Sequence, residues 1–244
     1  MDAGNTRLYT LRVTVTANGT ADTTEQRIGI RTIQVSSKTG LLLNGQPRTM
    51  KGGCIHHDLG ILGAADHAAA ERRRIRLMKE SGFDAIRAAH NPFGPAFLDA
   101  CDELGMLVVE EAFDEWVMGR TSFGLHVTFE QCWEKDLEDM ITRDYNHPCI
   151  VMWSTGNEVE ERDGTADGFA WAKRLATRCV RWTQAARVSA TACALFSEYG
   201  NRPAGGTTGN QALNMAYDTF AEGRDIWGRA PRLLCPAGRG RLQL

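Results

Sequence analysis

The sequence lacks any apolar run long enough for a membrane-spanning helix, which needs about 18 or more such residues. It also lacks a basic stretch followed by an apolar one near its beginning, so we expect no signal peptide and a cytoplasmic protein. Charge of one sign is not in excess either, because the formal net charge is −2 over 244 residues. This balance predicts neither nucleic acid nor a membrane as partner, and it favours a neutral substrate.

The seven cysteines form no CxxC pair and no Cys/His spacing typical of a zinc site. We interpret them as reduced, buried thiols, with a disulfide framework as the weaker alternative. Six of them lie in segments of apolar periodicity: Cys54, Cys101, Cys132, Cys149, Cys179 and Cys193.

Two segments near the beginning alternate apolar and polar side chains, which is typical of half-buried antiparallel strands. They are residues 7–16 and 27–36, and we expect them to be joined through Asn18-Gly19. A β-sandwich needs about seven strands. Residues 1–38 are therefore predicted to be the last strands of an incomplete sandwich.

After Asn44-Gly45, short apolar strands alternate with amphipathic helices, a pattern that predicts an α/β fold with a parallel sheet. About five βα units fit residues 39–228, which predicts part of a TIM (β/α)8 barrel. The strands are expected near residues 51–56, 84–89, 106–112, 149–154 and 187–194.

Three helices are expected to pack outside this sheet. The clearest spans residues 128–145, where Thr128 and Gln131 predict a capping box. Its apolar stripe comprises Phe129, Trp133, Leu137, Met140 and Ile141. The stripes of the other two helices are Phe93, Phe97, Ala100, Cys101 and Leu104, and then Phe169, Ala172, Leu175, Ala176 and Cys179.

The last part of the chain changes in character. Residues 210–222 keep a helical period, whereas residues 229–244 have neither a helical nor a strand period and are rich in Arg, Pro, Gly and Ala. One hypothesis is out-of-frame translation of GC-rich DNA; the alternative is a genuine flexible tail.

The residues that follow the predicted fourth strand carry chemistry. Asn157 and Glu158 come just after an apolar run, at the strand end where barrel enzymes place catalytic groups. Retaining hydrolysis of a glycosidic bond needs an acid and a second carboxylate about 5–5.5 Å away. Glu158 suits the acid, and a partly desolvated cleft near Trp153 would favour its protonated form. The alternative is a solvated loop carboxylate.

Polar side chains follow the other predicted strands as well, and together they predict a polar-lined sugar pocket. We expect Trp116 and Trp153 to stack on sugar C–H faces, with ordinary burial as the alternative for Trp116. The polar groups at these strand ends are His56, His57 and Asp58, then Arg87, His90 and Asn91, then Glu111, Asp114 and Glu115.

Three ordered motifs carry a family resemblance: KGGCIHHDLGILG, then IRAAHNPFGPAFLDACDELGMLVVEEAFDEW, then RDYNHPCIVMWSTGNE. They resemble the catalytic barrel of glycoside hydrolase family 2, which contains β-galactosidases, β-glucuronidases and β-mannosidases. The resemblance covers residues 7 to about 227 and is strongest to bacterial β-galactosidases. The preceding NTRLYTLRV resembles a strand of the immunoglobulin-like domain that comes before this barrel.

This resemblance implies retaining hydrolysis of terminal β-linked sugars, foremost β-galactosides, without a cofactor. β-Glucuronides or β-mannosides are the alternative substrates. Glu158 would be the general acid/base, and Asn157 would bind the sugar 2-hydroxyl. Arg87 would be a buried arginine that organises the carboxylates. The other positions matched to the sugar site are His56, Asp58, His90, Asn91, Glu115, Trp116 and Trp153.

Two elements of the family depart from its pattern here. Some members bind magnesium through the position of Glu115, but Val117 stands where their next ligand is a histidine, so we expect no metal. The family's nucleophile is a glutamate near the seventh strand. Ser197-Glu198-Tyr199-Gly200 resembles that motif but follows a segment that matches the fifth strand, so Glu198 is only the weaker candidate.

We therefore expect no nucleophile in this chain and no activity of the chain alone. Two other hypotheses remain open from the residues. One is a carbohydrate-binding remnant without catalysis. The other is a metal-dependent hydrolase in which His56, His90 and carboxylates converge on an ion.

Overall fold

The computed structural model describes residues 6–36, 39–163, 165–183 and 188–189. Its first element is a hairpin of two antiparallel strands, β1 (Tyr9–Ala17) and β2 (Thr20–Ile28). Asn18 and Gly19 form the turn, with φ angles of 49° and 79°. Two consecutive positive φ angles define the type I′ turn that Asn-Gly favours, since its twist matches that of the strands.

The hairpin corrects two predictions. Because the tight turn folds the chain back at once, pairing begins at Thr20, and the second strand is Thr20–Ile28 rather than residues 27–36. The expected half-burial is also wrong, since the apolar side chains of β1 from Tyr9 to Val15 are exposed. No layer of described residues covers them.

Three further short strands form a separate antiparallel sheet. They are β3 (Ile33–Ser36), β4 (Gly40–Leu43) and β5 (Gln46–Pro47), with β4 in the centre. This sheet spans the domain boundary predicted between residues 38 and 39. The division of the chain into domains stays a prediction.

The larger sheet is parallel throughout and contains five strands in the described part of the chain. In spatial order these are β10 (Val188–Ser189), β9 (Ile150–Ser154), β8 (Leu107–Glu111), β7 (Ala85–Ala88) and β6 (Gly52–Ile55). The predicted strands thus occur in the expected order, and their positions are right to within one or two residues. For the fifth, only Val188–Ser189 lies within the described residues.

A helix follows each of the first four strands of this sheet. They are α1 (Ala68–Glu80), α2 (Pro95–Leu104), α3 (Phe129–Asp144) and α4 (Gly168–Thr183). Strands paired in sequence order with intervening helices are the arrangement of a TIM barrel, which has eight such units when complete. The predicted partial α/β barrel is confirmed.

The core lies between the parallel sheet and its helices. The predicted α3 stripe is correct, with Trp133 only partly buried and its other members buried. Aromatic rings tie α3 to α4, because Trp171 contacts Phe129 edge-on with 5.3 Å between ring centroids. The stripe of α2 is also confirmed, although Phe93 precedes the helix, which begins at Pro95.

Two details of the helices differ from the prediction. The Thr128 hydroxyl donates to the Leu125 carbonyl at 3.5 Å instead of capping α3, because a 3₁₀ turn over Leu125–Val127 leads directly into the helix. In α4, Phe169 is 51% exposed, and Trp171 is buried on the face of Leu175 and Cys179. The rest of the predicted stripe holds, since Leu175 and Cys179 are buried and Ala172 packs against the core, so the predicted face is wrong only at Phe169.

The cysteines within the described residues are all free. Cys101, Cys149 and Cys179 are buried as predicted, and burial raises the pKa of Cys179 to about 12. Cys132 is partly buried, and Cys54 is exposed, so the prediction of burial is wrong for Cys54.

Several predictions fall on residues outside the described ranges. These concern the helix at residues 210–222, the tail at residues 229–244, and both Cys193 and Glu198. Within the described ranges, no helix has the length and apolar character that crossing a membrane requires.

We predict that Leu137→Ala lowers the free energy of unfolding by about 2–5 kcal/mol, because it removes a fully buried side chain from the α3 face. Leu77→Ala is the matched control, since Leu77 is also helical but 38% exposed. Urea unfolding followed by circular dichroism measures both. Equal losses for the two variants would contradict the position of the core.

Candidate active site

The candidate site lies where three neighbouring parallel strands end. Arg87 on β7 pairs with Val109 on β8, and Glu111 at the end of β8 pairs with Ser154 at the end of β9. Parallel strands bring their carboxyl ends to one edge of a sheet, where barrel enzymes carry their active sites. Residues that are far apart in the sequence therefore meet at this edge.

Glu111 is the centre of the network and is completely buried. The Arg87 guanidinium donates to both of its carboxylate oxygens, with Nη2 at 2.7 Å from Oε1 and 2.8 Å from Oε2. Ser154 donates its hydroxyl to Oε2 at 2.7 Å. Burial alone would lower the pKa of the Arg87 guanidinium, but the hydrogen bonds and the charge of Glu111 raise it. The charge of Glu111 is thus compensated inside the protein.

His90 joins the same carboxylate through its ring. Its Nδ1 lies 2.8 Å from Glu111 Oε1. Because a carboxylate bound by Arg87 only accepts hydrogen bonds, Nδ1 carries the proton and donates.

Asn157 is held at both ends of its amide. Its Oδ1 accepts from Arg87 Nη2 at 2.8 Å, and its Nδ2 donates to Asp114 Oδ1 at 2.9 Å. Its backbone N–H donates to the Phe113 carbonyl at 3.0 Å. These contacts fix the orientation of the side chain, with nitrogen towards Asp114 and oxygen towards Arg87.

Glu158 follows Asn157 directly but has a different environment, because its side chain is 58% exposed. Arg120 Nη1 lies 3.6 Å from its Oε2, and the same guanidinium also hydrogen bonds to the side chain and carbonyl of Asp114. Arg120 therefore links the two carboxylates. The partly desolvated cleft that was expected around Glu158 is not formed by the described residues.

Two tryptophans lie below the site rather than in it. Trp116 is 1% exposed, and its indole N–H donates to the Thr155 carbonyl at 2.9 Å. Gly156 allows this approach, since a Cβ there would lie 2.8 Å from Trp116 Nε1. Trp153 is buried in the same core. The expectation that Trp116 and Trp153 stack on sugar is therefore wrong for the described structure, because both rings already pack against protein.

Glu115 binds the loop that follows it. One carboxylate oxygen accepts from the Arg120 N–H at 2.9 Å, and the other accepts from the N–H and Nδ1 of His126, both at 3.1 Å. Although burial would raise the pKa of Glu115, these donors lower it. Magnesium prefers oxygen ligands in octahedral geometry. The nitrogen donors around Glu115 and the apolar Val117 do not fit that ion.

Three other predicted site residues lie at the surface. The His56 ring contacts the His90 ring edge-on, with 5.1 Å between centroids, so it adjoins the network. Asp58 instead accepts from the Gly60 N–H at 2.8 Å and holds its own turn. Asn91 is exposed and lines a cleft beside the network.

This cleft has a volume of about 770 Å³ and lies between the loops after β7 and β8 and the helix α3. Its apolar lining residues include Phe113, Leu125 and Met140. Its charged groups are the four carboxylates of Asp114, Glu115, Asp136 and Asp139 and the two guanidinium groups of Arg120 and Arg143.

Sequence reasoning missed part of the network. Ser154 and Arg120 were not expected at the site, and Glu111 was expected only on its rim. The signal for Glu111 was present, because a carboxylate inside an otherwise apolar strand needs a buried partner. Arg120 lies in a loop rich in small polar residues, and no pattern in the sequence marks it.

The fold and this strand-end network define a partial (β/α) barrel with a polar site at the carboxyl ends of its strands. The sequence profile of the TIM barrel domain of glycosyl hydrolases family 2 matches residues 33–205. The chain therefore belongs to glycoside hydrolase family 2, as the resemblance implied.

Individual relatives agree with this assignment. A β-galactosidase of Bacteroides ovatus is 44% identical over 163 residues, which are 66% of this chain and 19% of that protein. A putative β-glucuronidase of Formosa agariphila is 38% identical over 147 residues, 60% of this chain and 14% of that protein. The chain thus matches less than a fifth of the length of either relative.

A solved structure matches the fold as well. It is a family 2 glycosyl hydrolase of Bacteroides cellulosilyticus, with a TM-score of 0.72 and 39% sequence identity. The match covers 75% of this chain and 24% of that one.

We predict that Arg87→Met lowers the free energy of unfolding by about 3–5 kcal/mol, because it leaves the buried charge of Glu111 without its main partner. Arg76→Met is the matched control, since Arg76 and Glu80 form an exposed pair that contributes about 1 kcal/mol or less. Urea unfolding at neutral pH measures the difference. A loss for Arg87→Met no larger than for the control would contradict the role of this pair.

Proposed function

We propose that this chain supplies the acid/base half of a retaining glycoside hydrolase that releases terminal β-linked sugars, foremost β-galactose. The observation that carries this proposal is the position of Asn157 and Glu158 at the end of β9. Asn157 is locked by Arg87 and Asp114, and Glu158 next to it reaches the open side of the site. A fixed binding group beside an accessible carboxylate is what acid/base catalysis on a bound sugar needs.

In the proposed mechanism, Glu158 first gives its proton to the glycosidic oxygen of the leaving group. As a carboxylate it then takes a proton from the water that releases the sugar from the enzyme. An amide nitrogen carries two hydrogens. Asp114 accepts one of those on Asn157, and the other would donate to the sugar 2-hydroxyl, which requires that the sugar reach this largely buried side chain. The mechanism requires no cofactor.

The charged groups beside Glu158 support a neutral sugar. Arg120 lies next to Glu158, and its guanidinium is already paired with Asp114. A glucuronic acid carboxylate would meet these two carboxylates and a guanidinium that is already engaged. The higher identity to a β-galactosidase than to a putative β-glucuronidase agrees with this reasoning.

We further propose that residues 1–38 end an immunoglobulin-like β-sandwich in a longer protein and that residues 39–228 belong to the barrel. The exposed apolar side chains of β1 support the sandwich origin of the hairpin, because one face of a sandwich sheet packs on its partner sheet. The sheet of β3, β4 and β5 crosses the proposed boundary and does not support its position between residues 38 and 39.

The role of Glu158 can be tested in a chimera. Residues 33–205 replace the matching segment of the Bacteroides ovatus β-galactosidase, and hydrolysis of aryl β-galactosides is measured. We predict that Glu158→Gln lowers kcat by about 10²–10⁴-fold for a 4-nitrophenyl leaving group, because general acid catalysis contributes this much. The defect in kcat/KM should be smaller for the 2,4-dinitrophenyl galactoside, since a better leaving group needs less protonation in the first step.

Glu138→Gln serves as the control, because Glu138 is an exposed glutamate on α3. It should leave kcat unchanged. If Glu158→Gln behaves like this control in an active chimera, Glu158 is not the acid/base.

We predict that the purified 244-residue chain does not hydrolyse aryl β-galactosides by itself. Retaining hydrolysis needs a second carboxylate about 5–5.5 Å from the first. In this family it comes from a later strand of the barrel than those described. Turnover by the purified chain that disappears in Glu158→Gln would prove this expectation wrong and would favour Glu198 as the nucleophile.

A further inference from the structure

Strand β8 ends in two consecutive carboxylates that are both completely buried. Successive side chains of a strand point to opposite faces of the sheet. Glu111 accordingly meets Arg87, whereas Glu110 lies on the helix side of the sheet, where the mechanism makes no use of it.

Glu110 binds a single backbone group. Its Oε1 accepts a hydrogen bond from the Phe93 N–H at 2.9 Å. The Phe93 carbonyl accepts a hydrogen bond from Arg143 Nη2 at 2.5 Å. The Asp144 carboxylate in turn holds the Arg143 guanidinium with contacts of 2.6 and 2.7 Å. Both polar backbone groups of Phe93 are thus held by side chains from β8 and α3.

The held residue belongs to the loop that carries His90 and Asn91. Phe93 itself is buried, and its ring stacks on His57 with 4.0 Å between centroids. Buried backbone groups need a partner, and here no neighbouring strand provides one. The loop is therefore fixed from below at a residue only three positions after His90.

The surroundings of Glu110 favour its neutral form. Burial raises the pKa of Glu110 well above its usual value, and the nearby Asp144 raises it further, although Phe93 and Arg143 oppose this and Glu111 adds to it. A neutral carboxylic acid keeps one acceptor oxygen for the Phe93 N–H. Its other oxygen, Oε2, has no hydrogen-bond partner among the described residues.

We propose that Glu110 is a positioning residue, which fixes the loop of residues 89–94 through Phe93 so that His90 reaches Glu111 and Asn91 lines the cleft. The benefit to sugar binding rests on the function proposed above. The role of Glu110 in holding Phe93 and His90 does not depend on that function.

The test uses the full 244-residue chain, with two measurements that need no sugar. Exchange of the Phe93 amide hydrogen measures the hydrogen bond to Glu110, and the ¹⁵N shift of His90 Nδ1 measures the hydrogen bond to Glu111. Glu110→Ala should speed Phe93 exchange about ten-fold or more, because its acceptor is lost. It should also move the His90 shift towards that of a solvated imidazole.

Glu110→Gln separates positioning from a need for charge or for the acid itself. The amide keeps an acceptor oxygen of the same reach, so both measurements should stay at the values of the parent chain. Glu138→Ala is the matched control, since it removes the same carboxylate from an exposed position on α3. It should change neither measurement.

A Glu110→Ala variant with an unchanged His90 shift would overturn the proposal, even if the Phe93 amide exchanged faster. A Glu110→Gln variant that changed Phe93 exchange and the His90 shift as much as Glu110→Ala would also overturn it. Should Glu110→Ala not fold, Glu110→Asp replaces it, because a side chain shorter by one methylene no longer reaches Phe93.

Sugar binding is measured separately by titration with the galactose-configured inhibitor deoxygalactonojirimycin. Weaker binding to Glu110→Ala than to Glu138→Ala supports the benefit to the sugar site. If the parent chain and all variants fail to bind this inhibitor, the proposed function is weakened, while the Phe93 and His90 measurements still decide the role of Glu110.

Discussion

The buried ion pair of Arg87 and Glu111 is the interaction on which the rest of the site depends. It joins β7 to β8, and each partner then directs other groups: Glu111 holds His90 and Ser154, and Arg87 holds Asn157. A buried charge without a partner costs several kcal/mol, so each contact tends to keep the others in place. Three strands are thereby aligned by one carboxylate.

The site is built in layers beneath this pair. Trp116 supports the turn at Thr155–Gly156 from below, and Glu115 fixes the loop that carries Arg120. Trp116 is buried away from the open side of the site, whereas Glu115 also lines the neighbouring cleft. Their effect is to limit the motion of Asn157 and Glu158, and precise placement of such groups is a large part of enzymatic rate acceleration.

The sequence alone predicted the partial barrel because each of its strands and helices has a strong local pattern of apolar residues. The apolar stripe of α3 and the apolar runs of β8 and β9 can be recognised without knowing which residues pack against them. The position of Asn157 and Glu158 followed from the rule that barrel sites lie at strand ends.

The remaining contacts depend on packing between distant residues. Trp116 and Trp153 have the same local pattern whether they face a sugar or the core, and only the three-dimensional structure distinguishes the two. The burial of Trp171 instead of Phe169 on α4 was missed for a related reason, since the apolar period does not show which of the two rings contacts α3. Likewise, nothing in the local sequence indicates that Arg120 reaches both Asp114 and Glu158.

The pairing of β8 with β9 contains an irregularity, because Val108 pairs with Ile150 but Val109 pairs with Met152. Val151 is thus an extra residue on β9, and only after it do Glu111 and Ser154 come into register. A strand that slips by one residue turns every following side chain to the opposite face. Loss of this one residue would exchange the surroundings of Trp153 and Ser154. Insertions and deletions are therefore tolerable in the loops of this barrel but not in these two strands.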